Sequence, residues 1–206
     1  MIEKYEEIMM SIKSVRSHLF AKYKLLSVSE DEILNHITFE NGAQPPKEQH
    51  VYEEKEGYVR FVQNRDYDSD SYLTYIPISK KNHLCNEFDI MMDKYGDAGA
   101  VRHGIAGAFN VALLKIVPVS PEEKEYIRDF LSQNEIKNIL FASSQASTRP
   151  SLNETTFKGI NIQLPNKAML EQYQEKAFVL LNLEFNIKSK VTKLREIKQK
   201  LLTKYF

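Results

Sequence analysis

The stretch that decides the fold is residues 167–206, KAMLEQYQEKAFVLLNLEFNIKSKVTKLREIKQKLLTKYF, which contains neither glycine nor proline. Five apolar residues recur in it every seven positions, namely Tyr173, Leu180, Ile187, Leu194 and Leu201. Ala177 and Val191 follow two of them by four residues, whereas Glu184 and Lys198 occupy the matching places elsewhere. Such spacing predicts a helix that packs against another helix. At about 1.5 Å per residue it is roughly 55–60 Å long, which is more than a small domain covers.

The opening segment, residues 1–26, shows the same kind of spacing, and no glycine or proline occurs before residue 42. Its apolar positions are Tyr5, Ile8, Ile12, Val15, Leu19 and Leu26, with Lys22 as a weak point. We therefore expect coiled-coil helices at both ends of the chain, packed on each other and on those of a second copy, which predicts a homodimer. The predicted helix interface consists of Tyr5, Ile8, Ile12, Val15, Leu19, Leu180, Ile187, Val191, Leu194 and Leu201.

The middle of the chain has strand-like patterns separated by turn residues. The alternation at 58–62 predicts a strand, and we expect further strands at 72–78, 88–92, 111–117 and 160–164. Glycines at 96, 99, 104 and 107 predict a turn-rich loop between two of these strands. Ser120 followed by Pro121 predicts the start of one helix whose apolar face extends to Leu140. The fold class is therefore α+β, with helices at 1–26 and 166–206 and one mixed domain at 27–165.

Charge is distributed unevenly, although the 28 basic and 28 acidic residues of the 206-residue chain balance overall. The two terminal segments carry net charges of +2 and +5, whereas residues 27–165 carry −7. An acidic middle is not typical of a protein that binds nucleic acid without sequence preference. Cys85 is the only cysteine, so no internal disulfide forms, and the absence of an apolar leader or a 20-residue apolar run favours a cytoplasmic protein without a membrane segment.

No catalytic or cofactor-binding motif is evident. The five histidines lack zinc-ligand spacing, and the glycines near residue 96 match neither a dinucleotide loop nor a phosphate loop. Asp66, Asp68 and Asp70 match half of a calcium loop, but Ser71 and Pro77 stand where glycine and glutamate are needed. No Asn-Pro-Pro-Tyr motif of adenine methyltransferases is present. We therefore expect no cofactor, no metal and no catalysis by this chain.

Five segments, in order, resemble the target-recognition domain of type I restriction-modification specificity (S) subunits. They are residues 37–47, ITFENGAQPPK; residues 57–67, GYVRFVQNRDY; residues 88–101, FDIMMDKYGDAGAV; residues 144–153, SQASTRPSLN; and residues 160–165, INIQLP. The third segment is the most specific, and the last precedes a long helix, as in that family. The resemblance covers roughly residues 35–205. Full S subunits hold two recognition domains and two long helices, so this chain resembles a half-subunit.

The resemblance implies a non-catalytic chain that reads double-stranded DNA. It implies methyltransferase (M) subunits as partners that flip and methylate adenine, and a restriction (R) subunit as a further partner. Arg, Lys, Asn and Gln on loops are the usual readers of base edges. The candidate DNA-binding residues are Gln44, Lys47, Arg65, Lys94, Arg102, His103, Gln145 and Arg149. For each of them, a solvated surface side chain is the alternative interpretation. For the whole chain, the main alternative is a coiled-coil assembly or adaptor protein that does not read DNA.

Overall fold

Two long helices, α1 (Ile2–Lys24) and α4 (Lys167–Tyr205), form the first of two structural units. The computed structural model describes residues 2–69, 71–145 and 150–205. The first unit combines residues 1–30 with 163–206, and the second unit comprises residues 31–162. A mixed, sheet-rich central domain with a helix at each end confirms the α+β fold class predicted from the sequence.

The two helices of the first unit pack antiparallel, since Glu6 of α1 pairs with Arg195 of α4 at 2.7 Å while Tyr23 packs edge-on against Tyr173. The side chains buried in the pair are Ile12, Arg16, Phe20, Tyr23, Leu170, Tyr173, Ala177, Leu181, Ile187 and Val191. On α4 the successive buried positions are separated by 3, 4, 4, 6 and 4 residues, as expected for one face of an α-helix. Arg16 donates a hydrogen bond of 3.4 Å to the carbonyl oxygen of Ala177.

The second unit is built on two four-stranded sheets with the strand orders β2-β9-β6-β7 and β4-β3-β8-β5. A further two-stranded sheet is formed by β1 and β10. The strands are β1 (Ser29–Glu32), β2 (Ile37–Asn41), β3 (Tyr58–Val62), β4 (Tyr75–Pro77), β5 (Leu84–Cys85), β6 (Ile90–Asp93), β7 (Val101–Arg102), β8 (Gly107–Phe109), β9 (Leu113–Pro118) and β10 (Asn161–Leu164). One part of the core between them consists of Val62, Cys85, Met91, Ile105, Phe109 and Leu113.

Two helices, α2 (Lys124–Leu131) and α3 (Asn134–Ser144), stand where the sequence predicted one. That prediction is wrong because the chain turns at Ser132 and Gln133. The backbone N–H and the hydroxyl of Ser132 both donate to the carbonyl oxygen of Arg128, and Gln133 is extended. The helical segment begins directly after Ser120, with Pro121 in its first turn as predicted, but that turn, Pro121–Glu123, is a 3-10 turn and the Ser120 side chain makes no capping hydrogen bond.

The strand predictions hold in the main, with β3 matching residues 58–62 and the others shifted or shortened by a few residues. The glycine-rich segment after residue 95 was predicted to be a loop. That prediction is wrong in part, because the segment contains β7 and β8. Two strands, β1 and β2, lie in a region for which the residue pattern predicted none. Among the described residues, no helix contains an apolar stretch long enough to cross a membrane.

Candidate nucleic-acid interface

Lys94, one of the predicted DNA-binding residues, joins three segments of the second unit. Its side-chain ammonium donates a hydrogen bond of 2.9 Å to the Oδ1 atom of Asn41 at the end of β2. Its backbone N–H donates to the carbonyl oxygen of Ala112, and its own carbonyl oxygen accepts from the N–H of Leu152. The loop after β6, the end of β2 and the segment that resumes at residue 150 therefore meet at Lys94.

The segment of residues 93–99, which begins at the last residue of β6, is called the Lys94 loop here, and it contacts α3. Asp97 forms an ion pair of 2.7 Å with Lys137 of α3. Gly99 has a positive φ of 91°, and a Cβ atom there would lie 3.2 Å from the Cβ of Leu140. A larger residue is disfavoured both by this backbone conformation and by the close approach of α3. The glycine at this position therefore allows the loop to lie flat on the helix.

Arg102 of β7 is enclosed by acidic side chains. Its Nε and Nη2 atoms donate to Oδ2 of Asp93 at 3.1 and 2.9 Å. Its guanidinium also lies 3.5 Å from Asp68 and 3.9 Å from Asp97, and 5.9 Å from the centre of the Tyr67 ring. Burial raises the pKa of Asp93, and although Arg102 opposes this, Asp97 and Asp68 add to it, so the net shift is upward. Burial lowers the pKa of Arg102, but its acidic neighbours, Asp93 first, raise it further, so the net shift is upward.

Arg65 differs from Arg102 in its surroundings. It lies in the segment of residues 63–69 and 71–74, called the Arg65 loop here, and its side chain is 54% exposed. Its Nη2 atom lies 3.5 Å from the carbonyl oxygen of Tyr72 and 3.4 Å from the hydroxyl of Thr74. The guanidinium lies 6.0 Å from the centre of the Tyr72 ring, and Asp66 is 3.8 Å away. Arg65 thus presents a half-exposed cation whose direction is set by neutral acceptors and an aromatic ring.

The remaining candidates are less closely connected. Gln44 and Lys47 are exposed, and His103 is half-buried. Gln145 is exposed at the end of α3, where its amide donates to the hydroxyl of Ser144 at 3.2 Å. Arg149 lies outside the described residues. Arg102 therefore contacts the Lys94 loop through Asp93 and Asp97 and the Arg65 loop through Asp68 and Tyr67. Gln44, Lys47 and Gln145 lie on other segments.

Two residues that the sequence reasoning did not select belong to this surface. Tyr72 is 73% exposed, and its ring faces the guanidinium of Arg65. Asn41 accepts the hydrogen bond from the ammonium of Lys94. In the sequence, the position of Tyr72 directly after the polar segment Asp68 to Ser71 could have indicated an exposed aromatic residue. The contact between Asn41 and Lys94 joins residues 53 apart in the chain, so no local pattern indicates it.

The residues predicted for the helix interface differ in how deeply they are buried in the described helix pair. Ile12, Ile187 and Val191 form a buried cluster, against which Tyr5, Ile8 and Leu180 pack. Leu19 and Leu194 are half-buried, whereas Val15 is 53% and Leu201 is 52% exposed. Arg16 and Phe20 occupy the buried side of α1 next to Val15 and Leu19.

No group of three or more potential metal ligands occurs within residues 2–69, 71–145 and 150–205. Cys85 is buried, and burial raises the pKa of its thiol to about 11, with Asp89 adding to the shift. A thiol that stays protonated is a poor nucleophile and a poor metal ligand. The chemistry that the described surface offers is therefore hydrogen bonding, charge and stacking.

The sequence pattern of the type I restriction modification DNA specificity domain matches residues 31–199. The chain belongs to this family. The match covers the whole second unit and most of α4, including the Arg65 loop, the Lys94 loop and β7. The family description names DNA specificity rather than a reaction, in agreement with the expectation that the chain is not an enzyme. No curated protein matches the chain at a significant level.

Solved structures from type I restriction-modification systems share the fold. The S subunit of a type I restriction-modification system from M. genitalium is 15% identical, with a TM-score of 0.67, over 100% of this chain and 57% of that one. The HsdS subunit from Thermoanaerobacter tengcongensis is 14% identical, with a TM-score of 0.51, over 92% of this chain and 52% of that one. A chain from a study of the assembly and conformational transition of the type I R-M system is 13% identical, with a TM-score of 0.51, over 94% and 54%. The specificity domain described here thus spans about half the length of each of these chains.

Proposed function

We propose that this chain is a non-catalytic DNA-recognition subunit of a type I restriction-modification complex, which reads one half-site per copy and docks methyltransferase subunits through its helices. The observation that carries the proposal is the convergence of the Arg65 loop and the Lys94 loop on a sheet framework within a DNA specificity domain. Loops held by a rigid framework are a common setting for recognition residues. The cytoplasm is the compartment that we propose with it.

The Arg65 and Lys94 loops supply the residue types that base reading requires. Arginine and lysine donate to guanine, whereas asparagine and glutamine pair with adenine in the major groove. Arg65 is half-exposed, and Lys94 lies beside Asn41. We assign base or backbone contacts to these residues, and extend the proposal to Gln44, Lys47, His103, Gln145 and Arg149.

The net charge of the central region supports the proposal that partner subunits supply most of the contacts to the DNA phosphates. Residues 27–165 carry a net charge of −7, and phosphate contacts are the main source of affinity for DNA. We therefore propose that M subunits provide most contacts to the phosphates, while this chain provides sequence preference. A restriction subunit is a further partner in this proposal. Alone, the chain binds DNA weakly under physiological salt.

The helix pair supports a role in assembly. Helix α4 has 39 residues and α1 has 23, and apolar side chains stay exposed on α4 beyond the level of Arg195. These side chains are Ile197, Leu201 and Leu202. Exposed apolar surface of this kind is typical of a contact with another chain. We propose that two copies pair through their helices, so that the helix length sets the gap between two half-sites.

A DNA pull-down tests this function. The full chain is incubated with immobilised random-sequence duplex DNA, with and without an adenine methyltransferase subunit of a type I system, chosen by testing candidate subunits for binding to the chain. Retention that increases with the methyltransferase, together with recovery of a shared motif among the bound duplexes, supports the proposal. A chain that binds the methyltransferase but enriches no motif is the adaptor protein of the alternative interpretation, and the proposal then fails.

A further inference from the structure

Arg102 was predicted from the sequence to bind DNA, yet its guanidinium is already paired with carboxylates of this chain. Two of its nitrogens share one oxygen of Asp93, and the side chain of Asp93 is almost fully buried. The side chain of Arg102 itself is 23% exposed, compared with 54% for Arg65. A guanidinium that turned towards DNA would leave a buried carboxylate without its cation, which is strongly unfavourable. Its geometry therefore argues against a direct contact with bases.

The remaining contacts of Arg102 reach two different loops. Its Nη1 atom lies 3.5 Å from Asp68 of the Arg65 loop, and its guanidinium packs on Tyr67 of the same loop. Its Nη2 atom lies 3.9 Å from Asp97 of the Lys94 loop, and Asp97 in turn pairs with Lys137 of α3. Arg102 thus contacts both loops. A planar group with five N–H donors suits such a bridge better than an ammonium does.

We propose that Arg102 is a positioning residue, which holds the Arg65 loop at a fixed distance from the Lys94 loop and does not itself contact DNA. The inference rests on the proposed DNA-reading function, since it assigns a role within it. The distance between the two loops determines whether Arg65 and Lys94 reach their contacts together. Fixing it before DNA arrives lowers the conformational entropy lost on binding.

Asp68 distinguishes this role from direct reading. Its side chain is 72% exposed, so its loss leaves the pair of Arg102 and Asp93 in place. If Arg102 read a base, Asp68→Asn would remove a carboxylate that competes for the Nη1 atom and a charge that repels phosphate, and binding to the preferred sequence would stay constant or tighten. If Arg102 positions the Arg65 loop, the same change loosens that loop, and discrimination between sequences falls. The two roles therefore predict opposite results for one variant.

The first measurement is hydrogen exchange in the full chain without DNA. In Asp68→Asn and in Arg102→Lys we expect faster exchange of the Asp68 and Ser69 amides, which donate to the carbonyl oxygen of Arg65. Arg102→Lys should also speed exchange of the Gly99 amide, in the Lys94 loop, and of the Ala100 amide directly after it. These amides donate to the carbonyl oxygens of Asp93 and Asp97. Glu135→Gln, an exposed acidic residue at the start of α3, is the charge-matched control and should leave both sets unchanged. Exchange that stays at wild-type rates in both variants overturns the proposal.

In the second measurement, the full chain selects duplexes from random-sequence DNA at low salt. The affinities for the selected duplex and for a scrambled duplex are then measured, and their ratio reports sequence discrimination. We expect this ratio to fall about tenfold in Arg102→Lys, the factor that one lost base contact produces, and several-fold in Asp68→Asn. The double variant should match Arg102→Lys alone, since both changes act on one bridge. A ratio that rises or stays constant in Asp68→Asn overturns the proposal.

Folding is checked separately, because Arg102→Ala leaves Asp93 buried without a cation. The variant Asp93→Asn/Arg102→Ala removes both charges together, and its melting temperature is compared with that of the wild type. If it folds, its discrimination should fall as in Arg102→Lys, and full discrimination contradicts the proposal. A wild-type chain that selects no motif overturns the proposed function, and with it the recognition role of Arg102. Selection by the wild type with unchanged variants overturns the role of Arg102 alone.

Discussion

Arg128 donates two hydrogen bonds to the carboxylate of Glu125, at 2.9 and 3.1 Å, and both side chains are almost completely buried. The same guanidinium donates to the carbonyl oxygens of Phe88 and Asp89, just before β6. One arginine of α2 thus fixes the chain where it enters the central strand of a sheet. The Lys94 loop begins at the other end of that strand, so this contact also supports the candidate interface.

Arg128→Met should destabilise the second unit by about 3–5 kcal/mol, because it removes the cation that donates two hydrogen bonds to the buried carboxylate of Glu125. Urea unfolding followed by circular dichroism measures the change. Lys124→Met is the matched control in the same helix. Its ion pair with Asp89 is longer, at 3.8 Å, and more exposed, so we expect a loss of about 1 kcal/mol or less. Equal losses in the two variants would contradict the role given to the buried pair.

Cys85 provides a chemical test of the same fold. With a pKa near 11 instead of 9, the thiolate fraction at pH 8 is about 100-fold lower than for an unperturbed thiol, and burial slows access further. We expect native protein to react with a disulfide reagent at least about 100-fold more slowly than protein unfolded in urea. Absorbance of the released thiol reports the rate. Rapid labelling of the native chain would show that the core around Cys85 is not closed.

The sequence predicts the two long helices well and their contact faces less well. A seven-residue repeat identified α4 and the burial of Ile187, because helical periodicity is a local property. On α1 it selected Val15, whereas the described pair buries Arg16 and Phe20. A straight helix drifts by about 20° per heptad, so the buried stripe leaves the repeat after a few turns. A charged residue such as Arg16 also carries no hydrophobic signal.

The candidate site shows a similar division. Residue type and turn-rich loops selected Arg65, Lys94 and Arg102 from sequence, but they gave all three the same role. The structure separates them through partners distant in the chain, namely Asp68 for Arg102 and Asn41 for Lys94. Such partners depend on strand order, for example the placement of β9 between β2 and β6, which local patterns do not contain. The short strands β7 and β8 escaped prediction because two or three residues carry no periodicity.

Ile187→Asp should disrupt the helix pair, because Ile187 is buried beside Ile12 and Val191, and an unpaired charge there costs several kcal/mol. We expect loss of helical signal at 222 nm and a lower melting temperature. The second unit should stay folded, which slow reaction of Cys85 would report. Val179→Asp is the matched control on the same helix and should leave the melting temperature unchanged, since Val179 is 66% exposed and lies outside the surface assigned to the partner copy. The converse pattern would mean that the described pair is not the one present in solution.

Self-association follows from the exposed apolar side chains of α4. We expect light scattering to give the mass of a dimer at micromolar concentrations, without methyltransferase subunits. Leu201→Asp should shift the chain towards monomer, because it places charge in the surface assigned to the partner. Val119→Asp, at an exposed apolar residue of the second unit, is the control and should leave the mass unchanged. A wild-type chain that stays monomeric would exclude pairing of two copies as the route to two half-sites.

Arg65→Ala tests the most exposed of the linked cations. Its guanidinium contacts the hydroxyl of Thr74 and the carbonyl oxygen of Tyr72. One carboxylate, that of Asp66, lies 3.8 Å away, whereas Arg102 is close to three. If Arg65 reads guanine, the loss should be about 1–3 kcal/mol for the selected duplex and near zero for a scrambled one. Fluorescence anisotropy of labelled duplexes over a salt series measures both.

The salt series separates base reading by Arg65 from a phosphate contact. A phosphate-binding arginine would weaken both duplexes alike and reduce the slope of log K against log salt by about one. Lys80→Ala, at an exposed lysine of the same unit, controls for the loss of one positive charge. Tyr72→Ala should reproduce part of the Arg65→Ala effect, because the ring and the backbone around it set the direction of the guanidinium. Equal weakening of both duplexes would reassign Arg65 to the phosphates, and no weakening of either would remove it from the interface. In that last case Lys94, with its ammonium held by Asn41, would be the remaining cation of the linked loops to test.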